Sequence, residues 1–211
     1  MGTISIIGSG GMAAAIGGLA AKAGYAVELT SRDAAKARAL AEQIGAGATT
    51  GTFGAAPAGG IVILAVPYTA VLGVVKQHRE ALAGKLLVDI TNPIKSDFTG
   101  FLTPEDSFGA REIAKAAPAD ADVIKAFNTL PSQVLAAGPV EGHPLDVFLA
   151  GDSAQAKARI SAFVESLRLR PLDTGPLTMA RTLEHACVLW LGLMTHSVRH
   201  ANFSIGVSLI G

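Results

Sequence analysis

The sequence predicts an α/β fold, a doubly wound and mostly parallel sheet with a helical C-terminal segment. Three observations predict it. Short β-branched and apolar runs alternate with Ala-rich or amphipathic stretches along most of the chain, the pattern of strands joined by right-handed helical crossovers. Gly60–Val66 is a continuous apolar run, as expected of a parallel strand covered on both faces. A glycine-rich turn, Gly8-Ser9-Gly10-Gly11-Met12-Ala13, joins the first apolar run to the first helical one. Together these describe a Rossmann-like sheet.

The elements follow in order. Thr3–Ile7 is a short buried strand, and Gly11–Ala23 a helix stopped by Gly24, since glycine tolerates the left-handed backbone that ends helices. Ala26–Thr30 is the second strand. Asp33–Ile44 is an amphipathic helix with Asp33 near its start and Gly45 at its end. A brief strand near Ala48–Thr50 precedes the Gly60–Val66 strand. A helix over Thr69–Leu82 leads to a strand at Leu86–Ile90. Pro93–Gly109 is the one long irregular stretch and reads as a mobile surface loop. Val123–Phe127 and Asp146–Ala150 are further strands, Ser153–Ser166 a helix, and Arg168–Leu172 a last strand. Alternation stops after Asp173-Thr174-Gly175-Pro176. Leu177–Ile210 is apolar and expected to be one long or two broken helices. The expected division is a dinucleotide-binding domain over 1–175 and a helical segment over 176–211 that packs on it or in a dimer interface.

Composition narrows the function. The chain has 211 residues, half of them apolar and 16% charged, enough to bury a full core. Seventeen basic residues balance seventeen acidic ones, which argues against a nucleic-acid partner or an acidic membrane surface. The high apolar share points to surface buried between subunits, hence a homodimer. A single cysteine, Cys187, rules out an intramolecular disulfide, reads as a core thiol and fits a cytoplasmic setting. Residues 2–21 are uncharged, but no basic residue precedes the apolar run and Lys22 is the first. A strand, a turn and a helix explain them better than a leader peptide. Ala186–Met194 is too short to span a bilayer, so no membrane partner is expected.

The glycine turn carries the first chemical signal. Gly8 permits a tight turn, Gly10 lets the backbone approach a pyrophosphate, and Ala13 permits close helix–strand packing. The helix that follows offers free N–H groups to an anion. The end of the second strand then selects the cofactor. An NAD site usually has Asp or Glu there, whereas this chain has Thr30-Ser31-Arg32. A hydroxyl and a guanidinium suit a 2′-phosphate, and Lys36 lies one helical turn further on. Glu28 falls two residues before the strand end and reads as a strand-face residue. The expected cofactor is NADP(H).

Four stretches recur together in one family: Ser31-Arg32 with Lys36, Ala65-Val66-Pro67, Lys125-Ala126-Phe127-Asn128-Thr129, and Leu169-Arg170-Pro171-Leu172-Asp173-Thr174-Gly175-Pro176-Leu177. The chain resembles the NADP oxidoreductases that depend on the 8-hydroxy-5-deazaflavin coenzyme F-420, and is similar to the related reductase domain of the six-transmembrane ferric reductases. The resemblance covers essentially the whole chain. It implies that Ser9, Gly10, Gly11 and Met12 line the pyrophosphate, with Gly8 beneath them. Ser31, Arg32 and Lys36 would hold the 2′-phosphate. Ala65, Val66 and Pro67 would pass the adenine-side ribose and pyrophosphate. Asn92-Pro93 and Asn128-Thr129-Leu130-Pro131 would surround the nicotinamide. It also implies a deazaflavin or flavin as co-substrate.

Hydride transfer is mostly positioning with water excluded, so no acid, base or nucleophile is required. Asn128 and Thr129 are the candidates for a catalytic part, holding the nicotinamide amide or polarising an acceptor; alternatively they cap the next helix. His196 and His200 are expected to share a helix face, but no carboxylate completes a metal site at helical spacing. No metal is expected. Two other functions fit the residues: reduction of a small carbonyl or imine, and NADP(H)-binding regulation without turnover.

Overall fold

The computed structural model describes residues 2–139, 144–208 and 210. Met1, 140–143, 209 and 211 of the expected ranges 1–175 and 176–211 lie outside the described residues. The apolar runs form β1 (Thr3–Ile7), β2 (Ala26–Thr30), β3 (Thr49–Thr50), β4 (Ile61–Leu64), β5 (Leu86–Asp89) and β6 (Asp122–Lys125). They assemble into one sheet in the order β3-β2-β1-β4-β5-β6, with every pairing parallel. This is the dinucleotide-fold order, and the winding reverses between β1 and β4.

Helices α1 (Gly11–Lys22), α2 (Ala34–Ile44), α5 (Ser132–Ala137) and α6 (Ala154–Ser166) cover one face; α3 (Tyr68–Gln77), α4 (Gly109–Ala116) and α7 (Ala180–Leu193) cover the other. Successive strand residues feed opposite cores. Ile63 and Val88 join Ile16, Leu135 and Phe163, while Val62, Leu64 and Leu87 join Val71, Val75 and Ile113. That is why these strands read as unbroken apolar runs. Each such aliphatic side chain, fully buried, contributes about 1.5–3 kcal/mol. Two helices start on side-chain caps: Asp33 accepts from the Lys36 amide at the start of α2, and Ser153 from the Ala156 amide at the start of α6.

Four expectations are corrected. The sheet is not continuous through the last two strands. β7 (Asp146–Leu149) and β8 (Arg170–Asp173) form their own parallel pair, joined to β6 through a single antiparallel bridge between Lys125 and Ala150. The last strand starts two residues late because Arg168 occupies a left-handed turn (φ +62°) after α6. The 93–108 loop is irregular as expected, but it is pinned: Ile94 bridges Phe101, and Arg181 of α7 donates to the Glu105 carbonyl. The C-terminal stretch is one helix, not a helical run to residue 210. A π turn at Met194–Val198 ends at Arg199, which is left-handed (φ +61°). His200 therefore leaves the helix, and His196 and His200 share no face.

Tertiary contacts hold the tail after that break. Phe203 stacks on Trp190 with centroids 4.9 Å apart, and Trp190 Nε1 donates to the Phe203 carbonyl. Arg170 forks onto the Asp146 carboxylate and donates to the Val207 carbonyl, while the Val207 amide donates to Asp146 at 2.7 Å. Burial favours the protonated Asp146 carboxyl, but Arg170 and the Val207 amide outweigh it and hold its pKa below the ordinary carboxylate range. A depressed carboxyl stabilises the folded form at neutral pH and loses that contribution as pH falls through the lowered value. Asp146→Asn should therefore free the tail. At neutral pH the Val207 amide should exchange hydrogen about tenfold faster, with the β1 and β4 amides unchanged.

Candidate functional site

The candidate site is a cleft of about 420 Å³ at the point where the winding reverses. Gly10, Gly11 and Met12 border it from the first turn, Ala65, Val66, Pro67, Tyr68 and Thr69 from the end of β4, and Ile90, Thr91 and Asn92 from the end of β5; Ile94 and Leu102 of the 93–108 loop close it. Open parallel sheets place ligands at the carboxyl ends of strands beside such a reversal.

The turn's glycines do different things. Gly8 sits at φ +140° with its amide on the Thr30 carbonyl (2.8 Å), and a Cβ there would lie 2.0 Å from the Ala65 carbonyl oxygen. The close approach of β1 and β4 requires it. At Gly10 a Cβ would meet nothing within 4 Å, and the backbone has ordinary extended angles. The space above Gly10 is open. Gly10 is also the N-cap of α1, with no side-chain cap and no acidic residue in the first turn. The first N–H groups of a 12-residue helix thus face the cleft end without a side-chain acceptor.

The second-strand ridge lies beside this turn. Ser9 Oγ donates to Ser31 Oγ at 3.2 Å, which also accepts from the Asp33 amide. Arg32 is exposed and makes no side-chain hydrogen bond or ion pair among the described residues. Lys36 is exposed and 3.5 Å from Asp33 Oδ2, a solvent-screened pair that a stronger anion can displace. Glu28 is occupied within the fold, accepting from Ser5 Oγ and the Ala58 amide.

Asn92 and Asn128 are brought together. Asn92 Nδ2 donates to the Asn128 carbonyl (2.8 Å), and Asn128 Nδ2 donates to Asn92 Oδ1 (2.9 Å) and to the Leu183 carbonyl of α7 (2.9 Å). Asn128 Oδ1 is buried with no partner, an acceptor left open in a chain whose other described buried side-chain polar atoms are satisfied. Phe127, just before it, is fully buried at φ +60°. For a bulky residue that costs about 1–2 kcal/mol, and such strain concentrates at functional sites. Asn128 and Thr129 do not cap the next helix; Pro131 is the N-cap of α5 and no side chain bonds there.

Sequence reading missed a charged network beneath the cleft. Lys125, at the end of β6, is wholly buried. Its Nζ donates to Asp89 Oδ2 (2.8 Å), the Thr91 carbonyl (2.6 Å) and Glu184 Oε1 (3.0 Å), using all three donors. Burial pulls the ammonium toward neutrality, but Asp89 and Glu184 outweigh it and hold its pKa above the usual lysine value. The available signal was a charge inside an apolar run at Asp89 and at Lys125; Glu184, beside Arg181 and His185, carries no such signal. Tyr68 was missed too. Burial, helped by Glu112, Glu184 and Asp89, pushes its hydroxyl up to about 12, so it stays protonated in the cleft. Burial likewise pushes the half-buried Cys187 thiol up to about 11, which disfavours a thiolate role. Among the described residues no group of three or more His, Cys, Asp or Glu could hold a metal ion, and no helix is long and apolar enough to cross a membrane.

The two glycines give a paired test. Gly8→Ala should destabilise the fold by about 2–3 kcal/mol in denaturant titration, through the clash and the backbone angle together. Gly10→Ala should change stability by less than about 1 kcal/mol.

The family model described as NADP oxidoreductase, coenzyme F420-dependent, matches residues 3–93. The F420-dependent NADP reductase of Methanothermobacter marburgensis is 30% identical over 204 residues, covering 88% of this chain and 89% of that protein. The rat metalloreductase STEAP3 is 35% identical over 105 residues, half of this chain, which spans only 20% of that protein's length. A solved structure from Arthrobacter sp. FB24, 24% identical, covers 98% of this chain and 99% of its own with a TM-score of 0.86, and shows the shared fold. The match at the glycine turn thus extends along nearly the whole sequence, and the chain belongs to the coenzyme F420-dependent NADP oxidoreductase family.

Proposed function

We propose that this chain is an NADPH-dependent oxidoreductase that passes hydride between NADP(H) and a deazaflavin or flavin-type acceptor. The observation that carries the proposal is the convergence, at one sheet reversal, of an uncapped helix N-terminus, open space over Gly10 and an unengaged Arg32. Gly8, Ser9, Gly10, Gly11 and Met12 would hold the pyrophosphate, and Ser31, Arg32 and Lys36 the 2′-phosphate. Ala65, Val66 and Pro67 would flank the ribose, and Asn92, Pro93, Asn128 and Thr129 the nicotinamide. The open Asn128 Oδ1 suits a carboxamide N–H donor. NADPH would supply the hydride. The protein's own part is to orient the ring and exclude water, which the buried Asn92–Asn128 pair and the apolar wall of Ile90, Ile94 and Leu102 support. The exposed Val188 and Leu189 on α7 support a homodimer through that helix, and we place the protein in the cytoplasm.

A second reading, reduction of a small carbonyl or imine, is favoured by Tyr68. A protonated hydroxyl at the cleft wall can donate to a developing oxyanion or amine.

Oxidation of NADPH should be fastest with the deazaflavin among deazaflavin, FMN, FAD, ferric chelates and a cyclic imine. Turnover with the imine alone would select the second reading, and tight NADPH binding with no turnover would make the chain a cofactor-responsive regulator. Arg32→Ala should weaken NADPH binding by about 1.5–3 kcal/mol, the worth of charged hydrogen bonds, and NADH binding far less. Equal losses for the two cofactors would refute the 2′-phosphate assignment.

A further inference from the structure

One polar turn of α7 ties it to β6 and α4. The Leu183 carbonyl accepts from Asn128 Nδ2, and the Glu184 carboxylate takes three donors: the Gly109 amide at 3.0 Å, the Ala110 amide at 3.1 Å and Lys125 Nζ at 3.0 Å. Glu184 is therefore the acidic cap of α4 and an ion-pair partner of β6 at once. Its side chain is 2% exposed, so neither role is screened by water. Space around it is tight. A Cβ on Gly109 would lie 2.9 Å from Glu184 Oε1, 3.1 Å from Tyr68 and 3.2 Å from Pro93. Tyr68 lines the cleft, and Pro93 starts the loop that closes it.

Hydride transfer consumes none of this charge, yet the charge sits where α4, α7, β6 and the cleft floor converge. We infer that Glu184 is a positioning residue: its ion pair with Lys125 and its grip on the α4 amides lock α7 against the strand ends. That lock sets the Asn128 amide, whose Nδ2 is committed to the Leu183 carbonyl and whose Oδ1 is left free. Lys125 relays the same constraint to the cleft floor through the Thr91 carbonyl, while Asp89 holds the Thr91 amide and hydroxyl. The inference rests on the reading of Asn128 as a nicotinamide contact.

Glu184→Gln tests it. The variant is isosteric, but one of its two terminal atoms becomes an NH₂ facing a donor. The Gly109 and Ala110 amides and the α7 amides should exchange hydrogen about tenfold faster, with β1 and β4 amides unchanged. NADPH affinity, measured without acceptor, should stay within about threefold, because the pyrophosphate and 2′-phosphate ends are untouched, whereas kcat with the working acceptor should fall about ten- to hundredfold. A lower Tm with kcat intact would make Glu184 merely structural and overturn the inference, as would loss of NADPH affinity equal to the loss in kcat. If the Glu184→Gln substitution prevents folding, Glu184→Asp, which keeps the charge but shortens its reach by one methylene, should show the same split; its absence overturns the inference. Hydrogen exchange needs no acceptor. A wild-type protein silent with every acceptor would sink the proposed function, while unchanged exchange in the variant would sink the lock.

Discussion

The Lys125 ammonium is the interaction on which the rest of the structure depends. It is buried completely and satisfied completely, by a carboxylate from β5, a backbone carbonyl from the cleft floor and a carboxylate from α7. Desolvating such groups costs several kcal/mol per ion, so the network is weak evidence for extra stability. Its consequence is specificity of arrangement. Removing the ammonium would leave two buried carboxylates without a counter-ion, at a cost of about 3–5 kcal/mol. The strand ends, the 109–110 turn and α7 are thus confined to positions that satisfy one nitrogen.

The cleft sits directly on that frame. Its end at the glycine turn is built from backbone: Gly8 lets β1 and β4 approach, and α1 begins without a capping side chain. At its other end the lining residue Asn92 is held by side chains that cross between elements, Asn92 with Asn128 and Asn128 with α7. The first end is rigid because the parallel sheet makes it so. The second depends on how α7 docks, and the Phe127 kink shows that backbone strain is tolerated there to present Asn128.

Much of this is legible in the amino-acid sequence alone. The central strands β1, β4 and β5 and the helices α1 to α3 follow from apolar periodicity, because those strands are buried on both faces and those helices on one. Gly8 through Ala13 and Ser31-Arg32 follow from local chemistry, since a turn residue and its neighbours act within a few ångströms of each other. The tail was misread for the complementary reason. Met194–Ile210 is apolar enough to pass for helix, but the π turn and the left-handed Arg199 are set by Phe203 stacking on Trp190 and by Val207 held on Asp146 and Arg170. No window of sequence contains those partners together. Lys125 was read as part of a motif and not as a buried ion for the same reason: Asp89 is 36 residues away and Glu184 59.

The sequence by itself determined the central strands, the glycine turn and the Ser31-Arg32 stretch after β2, because each depends on periodicity or on neighbours a few residues apart. Only the tertiary structure decided that β7 and β8 leave the main sheet, that the helical end stops at residue 198, and that three charges from distant runs meet under the cleft. Those outcomes are fixed by long-range pairing and desolvation, which act between residues the sequence keeps far apart.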